Sequence, residues 1–225
     1  MTDPRRLART VRLHVESLAA FGVTALPRSK HSQHISPMIQ HKEAQLAQLA
    51  DDVQRCRACA LYQTRTHAVV SDGSAQAQLM FVGEAPGRDE DLQGKPFVGM
   101  AGQLLTKMIQ AMKFKREDVY ICNVLKDRPP ANRVPLPEEI EKCFPFLERQ
   151  IAIVQPKVIC ALGAVAAKAL LGPYVAISKI RGQVMDFHGI PVVPTFHPAY
   201  LLRNPSAKAL CWADLKRVKQ VLSER

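Results

Sequence analysis

One stretch of the chain, residues 79–112, constrains the fold more than any other. It opens with the apolar run Leu79-Met80-Phe81-Val82, which predicts a buried strand. A loop rich in glycine, proline and acids follows, and beyond Gly99 the apolar residues return every three or four positions, which predicts a helix. α/β proteins place ligand chemistry where a strand opens through such a loop into a helix. The alternative is a surface loop with acidic helix-cap residues.

Strands and helices alternate along the rest of the chain. The predicted strands are 79–83, 119–123 and 157–162, followed by a hairpin of strands near 183–187 and 191–195. The predicted helices are 38–54, 100–112, 137–154, 164–171 and 208–223. This alternation predicts an α/β fold in which a mostly parallel sheet is covered by helices on both faces.

The first 37 residues differ in composition from the remainder. They predict a basic helix, from Pro4 to Ala20, and a polar linker that ends at Pro37. Residues 38–225 are expected to form the functional domain. The 225 residues, 47% of them hydrophobic, suit one α/β domain with such an extension.

Charge and cysteine content narrow the class of protein. The formal net charge of +11 favours a polyanionic partner, most commonly nucleic acid. No apolar run is long enough to span a membrane and no secretory signal is evident, so we expect a cytoplasmic protein. We also expect a monomer. Six cysteines in such a chain fit a metal or cluster site better than disulfides.

The cysteines supply the first candidate site. Cys56 and Cys59 form a CxxC pair, which alone is ambiguous between redox, zinc and iron–sulfur chemistry. Cys143 lies within a predicted helix and is either a third ligand or a small buried residue. Cys160 lies in an apolar strand, where a core position is favoured.

Two further candidate sites follow predicted strands. Asn123 ends its strand, and its amide can match the donor and acceptor edge of a pyrimidine, although an Asx turn is the alternative. The loop after it interleaves basic residues with prolines and suits phosphates. His197 enters a second loop, in which Tyr200, Leu201 or Arg203 can fill the gap that an extruded base leaves in DNA.

Three stretches together resemble the family 4 uracil-DNA glycosylases, the iron–sulfur type: GEAPGRDEDLQGKPFVGMAGQLL, NVLKDRPPANRVPLPEEIEKC and TFHPAYLLRNP. They occur in the family's order and spacing, and the resemblance covers roughly residues 45–222. It implies a three-layer α/β/α sandwich around a central four-stranded parallel sheet. It also implies hydrolysis of the bond between uracil and deoxyribose in single- or double-stranded DNA, which leaves an abasic site.

The resemblance also implies roles for individual residues. Phe97 stacks on the flipped uracil, Asn123 binds its O4/N3 edge, and the backbone of Glu84 and Ala85 lines the pocket near O2. His197 stabilises the charge that develops on O2. Glu84 and Glu90 are the carboxylates that orient water or balance an oxocarbenium-like sugar. The expected DNA contacts are Arg128, Asn132, Arg133, Tyr200, Leu201 and Arg203.

The cofactor implied by the resemblance is a 4Fe–4S cluster. Cys56, Cys59 and Cys143 match three of its four ligands, but Asp127 stands where the family has the fourth cysteine. A carboxylate is a harder ligand than a thiolate and suits cluster iron less well. Asp127 ligates through oxygen, another cysteine substitutes, or the cluster is labile or absent. Asp127 is the expected fourth ligand.

Two rival functions remain at this point. One is a relative that binds uracil-DNA without turnover or traps it covalently. The other is an iron–sulfur electron carrier or DNA-binding module with an inactive pocket. The presence of Glu84, Phe97, Asn123 and His197 favours the glycosylase, because a redox module needs none of them.

Overall fold

Four parallel strands form the centre of the sheet in the computed structural model, which describes residues 37–225. The strands are β1 (Asp72–Gly73), β2 (Leu79–Gly83), β3 (Tyr120–Asn123), β4 (Val158–Leu162), β5 (Met185–Phe187) and β6 (Ile190–Thr195). Their order is β1-β3-β2-β4-β6-β5, and the inner four strands are parallel. The predicted parallel sheet is confirmed. The short edge strands β1 and β5 pair antiparallel and extend it to six strands.

Helices cover the sheet. They are α1 (Pro37–Arg55), α2 (Arg88–Gln93), α3 (Met100–Ala111), α4 (Pro137–Val154), α5 (Gly163–Leu171), α6 (Ile177–Ile180), α7 (Pro198–Arg203) and α8 (Lys208–Ser223). Helix α4 shows why the sequence sets these boundaries. Pro137 occupies its first turn, and the Glu139 carboxylate accepts the Leu136 N–H at 2.8 Å, which caps the free amides of the helix start.

Alternate residues of each central strand enter two separate cores. On β2, Leu79 and Phe81 pack with α3 and α8, whereas Met80 and Val82 pack with α4 and α5. This alternation is what a strand buried on both faces requires. The three-layer α/β/α arrangement is therefore confirmed.

The strand register brings three chain segments to one edge of the sheet. Gly83 at the end of β2 pairs with Asn123 at the end of β3, and Thr195 ends β6 beside Leu162 of β4. The loops that leave these carboxyl ends carry residues 84–99, 124–136 and 196–205. The sequence segments singled out above therefore lie at the same edge.

Two details of the fold differ from the sequence predictions. The segment 196–205, predicted as a loop, contains helix α7, and the acidic segment after Gly87 forms helix α2. The predicted basic helix and most of the linker within residues 1–37 lie outside the described residues. No helix from Pro37 onwards has the length and apolar character needed to cross a membrane.

Candidate active site

A cavity of about 590 Å³ lies at this edge of the sheet. Its floor includes the buried ring of Phe97, which the chain holds in place with two glycines. A Cβ on Gly83 would lie 2.4 Å from Phe97 Cζ, and one on Gly102 would lie 1.9 Å from the Phe97 carbonyl carbon. Phe97 itself has a positive φ of 53°, an uncommon conformation for an aromatic residue. The backbone at Phe97 is therefore strained, and this conformation places the ring in the floor of the cavity.

Asn123 presents an unused hydrogen-bonding group beside the Phe97 ring. Its side chain is only 2% exposed, and its Oδ1 is the one buried side-chain nitrogen or oxygen without a partner in residues 37–225. A buried polar atom without a partner is costly unless a ligand or water completes it. The buried Lys126 Nζ donates to the backbone carbonyl of Asn123 at 2.6 Å and also donates to Gln150 Oε1.

His197 also lines the cavity, with its ring centroid 5.6 Å from that of Phe97. Its Nδ1 accepts the Ala199 N–H at 3.1 Å, so Nδ1 carries no proton and Nε2 is the donor in the neutral ring. Burial and, to a smaller extent, the charge of the nearby Arg203 lower the pKa of His197 to about 4. The imidazole is therefore neutral at physiological pH.

The two candidate carboxylates have different environments. Glu90 accepts the N–H groups of Val98 and Gly99 at 2.9 Å through one oxygen and that of Gly87 at 3.1 Å through the other. Glu90 therefore braces the loop that carries Phe97, and this geometry does not support its predicted catalytic role. Glu84 lines the cavity, and burial raises its pKa.

The segment after His197 corrects one prediction. Leu201 is 1% exposed and packs in the core against the sheet, so it cannot enter DNA as predicted. Its neighbours Tyr200 and Leu202, 39% and 38% exposed, are the outward-facing residues of α7. Tyr200 and Arg203 line the mouth of the cavity. The sequence analysis missed Leu202, because it could not fix which face of this short helix is buried.

The proline-rich loop forms another wall of the cavity and holds three predicted DNA contacts. Arg128 donates to the Asn132 side chain at 2.7 Å. Arg133 donates through two nitrogens to the Glu139 carboxylate, at 2.9 and 2.6 Å, which offsets part of its charge. Arg88, which the sequence analysis missed, lines the cavity and is exposed. Its signal in the sequence was its position between the two candidate carboxylates, Glu84 and Glu90.

The cysteines predicted as metal ligands lie around a second, smaller cavity. Cys56, Cys59 and Cys143 line it together with Asp127. The Lys126 backbone N–H donates to Cys143 Sγ at 3.2 Å, and burial raises the pKa of Cys143 to about 11. Cys160 and Cys211 are buried in the opposite core, so neither is a substitute ligand. None of the six cysteines, all of which lie in the described residues, forms a disulfide.

The donor set fits three cluster ligands but not four. Three thiols around one cavity, one of them accepting an N–H, suit cluster iron. The Asp127 carboxylate instead faces Arg65, whose Nη1 lies 2.9 Å from each of its oxygens. The fit of the three thiols is one of ligand chemistry and not of spacing: within the described part of the chain, no three His, Cys, Asp or Glu side chains are close enough together to hold a single metal ion.

The class of protein follows from this fold and site together with the family comparison. Residues 70–216 match the model of the uracil DNA glycosylase superfamily, and the chain belongs to that superfamily. It is 46% identical over 180 residues to the type-4 uracil-DNA glycosylase of Thermotoga maritima, covering 78% of this chain and 94% of the relative.

A second relative supports the finer assignment. The type-4 uracil-DNA glycosylase of Archaeoglobus fulgidus is 41% identical over 188 residues, covering 80% of this chain and 94% of that protein. A type-5 enzyme of Pyrobaculum aerophilum is 32% identical over 150 residues, covering 59% of this chain and 66% of its own length. Within the superfamily, the chain is a member of the type-4 family.

Proposed function

We propose that the protein is a DNA-repair enzyme that hydrolyses the N-glycosidic bond of uracil in DNA and leaves an abasic site. One observation carries the proposal above all others. The buried, unpartnered Oδ1 of Asn123 faces a cavity beside an aromatic ring, which is the arrangement expected of a pocket that must recognise a planar polar base.

The Asn123 amide selects uracil by its hydrogen-bonding edge. Uracil offers an N3–H donor and an O4 acceptor, whereas cytosine offers an N3 acceptor and an amino donor. Oδ1 can accept the uracil N3–H while Nδ2 donates to O4, and both bonds are lost with cytosine. The Phe97 ring stacks on the base and supports it in this position. The backbone of Glu84 and Ala85 forms the adjoining wall.

Bond cleavage proceeds with water as the nucleophile. The C1′–N1 bond breaks, its electron pair stays with uracil, and negative charge develops on O2. The neutral His197 donates from Nε2 to O2, which stabilises that charge without first giving up a proton. The Glu84 carboxylate orients the water that adds to C1′ and accepts its proton.

DNA is held by the rim of the cavity. Tyr200 and Leu202 are the exposed apolar residues that fill the gap left by the extruded nucleotide. The side chains of Arg88, Arg128 and Arg203 contact phosphates, and the net charge of +11 adds a general attraction for single- or double-stranded DNA. Arg133 contributes less, because Glu139 pairs with it.

An iron–sulfur cluster is the cofactor that membership of the type-4 family suggests. Cys56, Cys59 and Cys143 are the residues that would hold it. Bound there, it would order the cysteine segment and the loop after β3, and no step of the hydrolysis involves it.

The test is an oligonucleotide with a single uracil. We expect alkali-labile breaks at uracil and none at cytosine or thymine, together with free uracil released in excess over enzyme. Release of no uracil from either single- or double-stranded substrate by folded protein would contradict the proposal. A single turnover with a DNA–protein adduct would favour the trapping relative, and tight binding without release would favour an inactive module.

A further inference from the structure

Arg65 joins three segments around the cysteine cavity. Its Nη1 lies 2.9 Å from both oxygens of Asp127, and its Nη2 donates to the Gln54 carbonyl near the end of α1. The two side chains are only 12% and 9% exposed. Arg65 follows the CxxC pair, and Asp127 lies in the loop after β3. The ion pair therefore ties the cysteine segment to that loop.

The orientation of the carboxylate matters for metal binding. Because Nη1 is equidistant from the two oxygens, the open edge of the carboxylate faces the guanidinium. Arginine stays charged at every relevant pH, so a positive group lies against the edge through which the carboxylate would bind a metal with both oxygens. The carboxylate is also a harder ligand than the three thiols around it.

Other bonds hold the same segments together without any metal. The Val69 N–H donates to the Lys126 carbonyl at 2.7 Å, and Gln54 Nε2 donates to the Ala68 carbonyl at 3.0 Å. The Thr66 N–H and hydroxyl both bind Asp91, at 2.9 and 2.8 Å. The chain thus fixes residues 64–69 through protein contacts alone.

We infer that Asp127 is not a cluster ligand. Its ion pair with Arg65 instead connects the cysteine segment to the loop after β3, as a fourth cysteine ligand would do through the cluster. A cluster assembled in this chain has three cysteine ligands, and its remaining iron has no protein ligand. This inference concerns the folding and metal content of the cysteine segment, and it stands independently of the proposed glycosylase activity.

The test is a double-mutant cycle on the full chain with Asp127→Asn, Arg65→Met and the double variant. The unfolding midpoint is measured as purified and again after iron is removed with a chelator. We expect each single variant to lower the midpoint by about 10 °C in both states, because each leaves a buried charge unpaired. The double variant should lose clearly less than the sum.

Iron and sulfide per chain are measured in the same variants. We expect Asp127→Asn to match the parent, whereas Cys143→Ser loses iron. A matched control is Asp72→Asn, which breaks the more exposed Arg116–Asp72 pair at 2.8 Å and should shift the midpoint by only a few degrees, about 3 °C or less.

Two results would overturn the inference. One is a specific loss of iron in Asp127→Asn that Arg65→Met does not share. The other is the absence of coupling between the two variants in metal-free protein. A parent that carries no iron and still shows the coupling supports the inference, because the tie then acts alone. Arg65→Gln, which removes the charge but keeps a polar amide, replaces Arg65→Met if that variant does not fold.

Discussion

Replacement of Gly83 by alanine should disable the base pocket while leaving the fold largely intact. The added Cβ would lie 2.3 Å from Asn123 Oδ1 and 2.4 Å from Phe97 Cζ, where ordinary contacts begin near 3.4 Å. Both groups must therefore move by about 1 Å. No positive φ is involved at Gly83, so backbone strain adds nothing.

Gly83→Ala should affect the rate of excision more than the stability of the fold. Overpacking of this kind costs about 1–3 kcal/mol of unfolding free energy. A displacement of about 1 Å at a recognition site costs roughly 100-fold in rate. We expect kcat/KM for uracil excision to fall by about that factor, because the displaced groups are the two that contact the base.

A core variant controls for the loss of stability. Ile159→Val, on β4 and facing the opposite core, should cost about 0.5–1.5 kcal/mol and leave excision unchanged. Excision is measured under single-turnover conditions, and stability by denaturant unfolding. Excision by Gly83→Ala at the rate of the parent would refute the proposed contacts of Asn123 and Phe97 with the base.

Three further predictions concern single residues. Asn123→Ala should lose most excision, since a missing buried polar contact costs about 1–3 kcal/mol; single-turnover rates test this, with Asp186→Asn on β5 as the unaffected control. The pKa of His197 is about 4 in the folded protein, against an ordinary value of 6.5. As the pH falls from 6.5 to 4, the unfolded protein therefore binds a proton at His197 that the folded protein does not, and the free energy of unfolding should fall by up to about 3 kcal/mol. Denaturant unfolding across that range should show less dependence on pH in His197→Gln. Arg203→Ala should lower the log–log salt slope of duplex DNA binding by about 0.9, and an unchanged slope would remove Arg203 from the phosphate contacts.

The sequence predicted those parts of the molecule that depend on local pattern. Hydrophobic periodicity located the central strands and the long helices, with Asn123 at the end of one strand and His197 just after another. The edge strand Asp72–Gly73 has only two residues and is too short to show a period. The buried face of α7 also escaped, because six residues between prolines do not determine whether Leu201 or Leu202 points inward.

Contacts between distant segments explain the remaining differences. Arg65 lies 62 positions from Asp127, and nothing in the sequence pairs a surface-type arginine with that carboxylate. Glu90 was expected to be catalytic because the family resemblance implies a role for this carboxylate. Its partners are backbone amides of Gly87, Val98 and Gly99, and such contacts carry no side-chain signature. The sequence can thus identify a carboxylate as a candidate site residue, but it does not show whether other groups of the protein already bind that carboxylate.

The cysteine cavity and the base pocket meet in the five residues from Asn123 to Asp127. Lys126 connects them: its backbone N–H binds Cys143 Sγ, and its buried Nζ binds the Asn123 carbonyl and Gln150. Lys126 therefore contacts both sites, whereas the Asp127 carboxylate contacts Arg65. If this carboxylate–arginine pair serves in place of a metal bond, the contact from Lys126 to the Asn123 backbone carbonyl is retained.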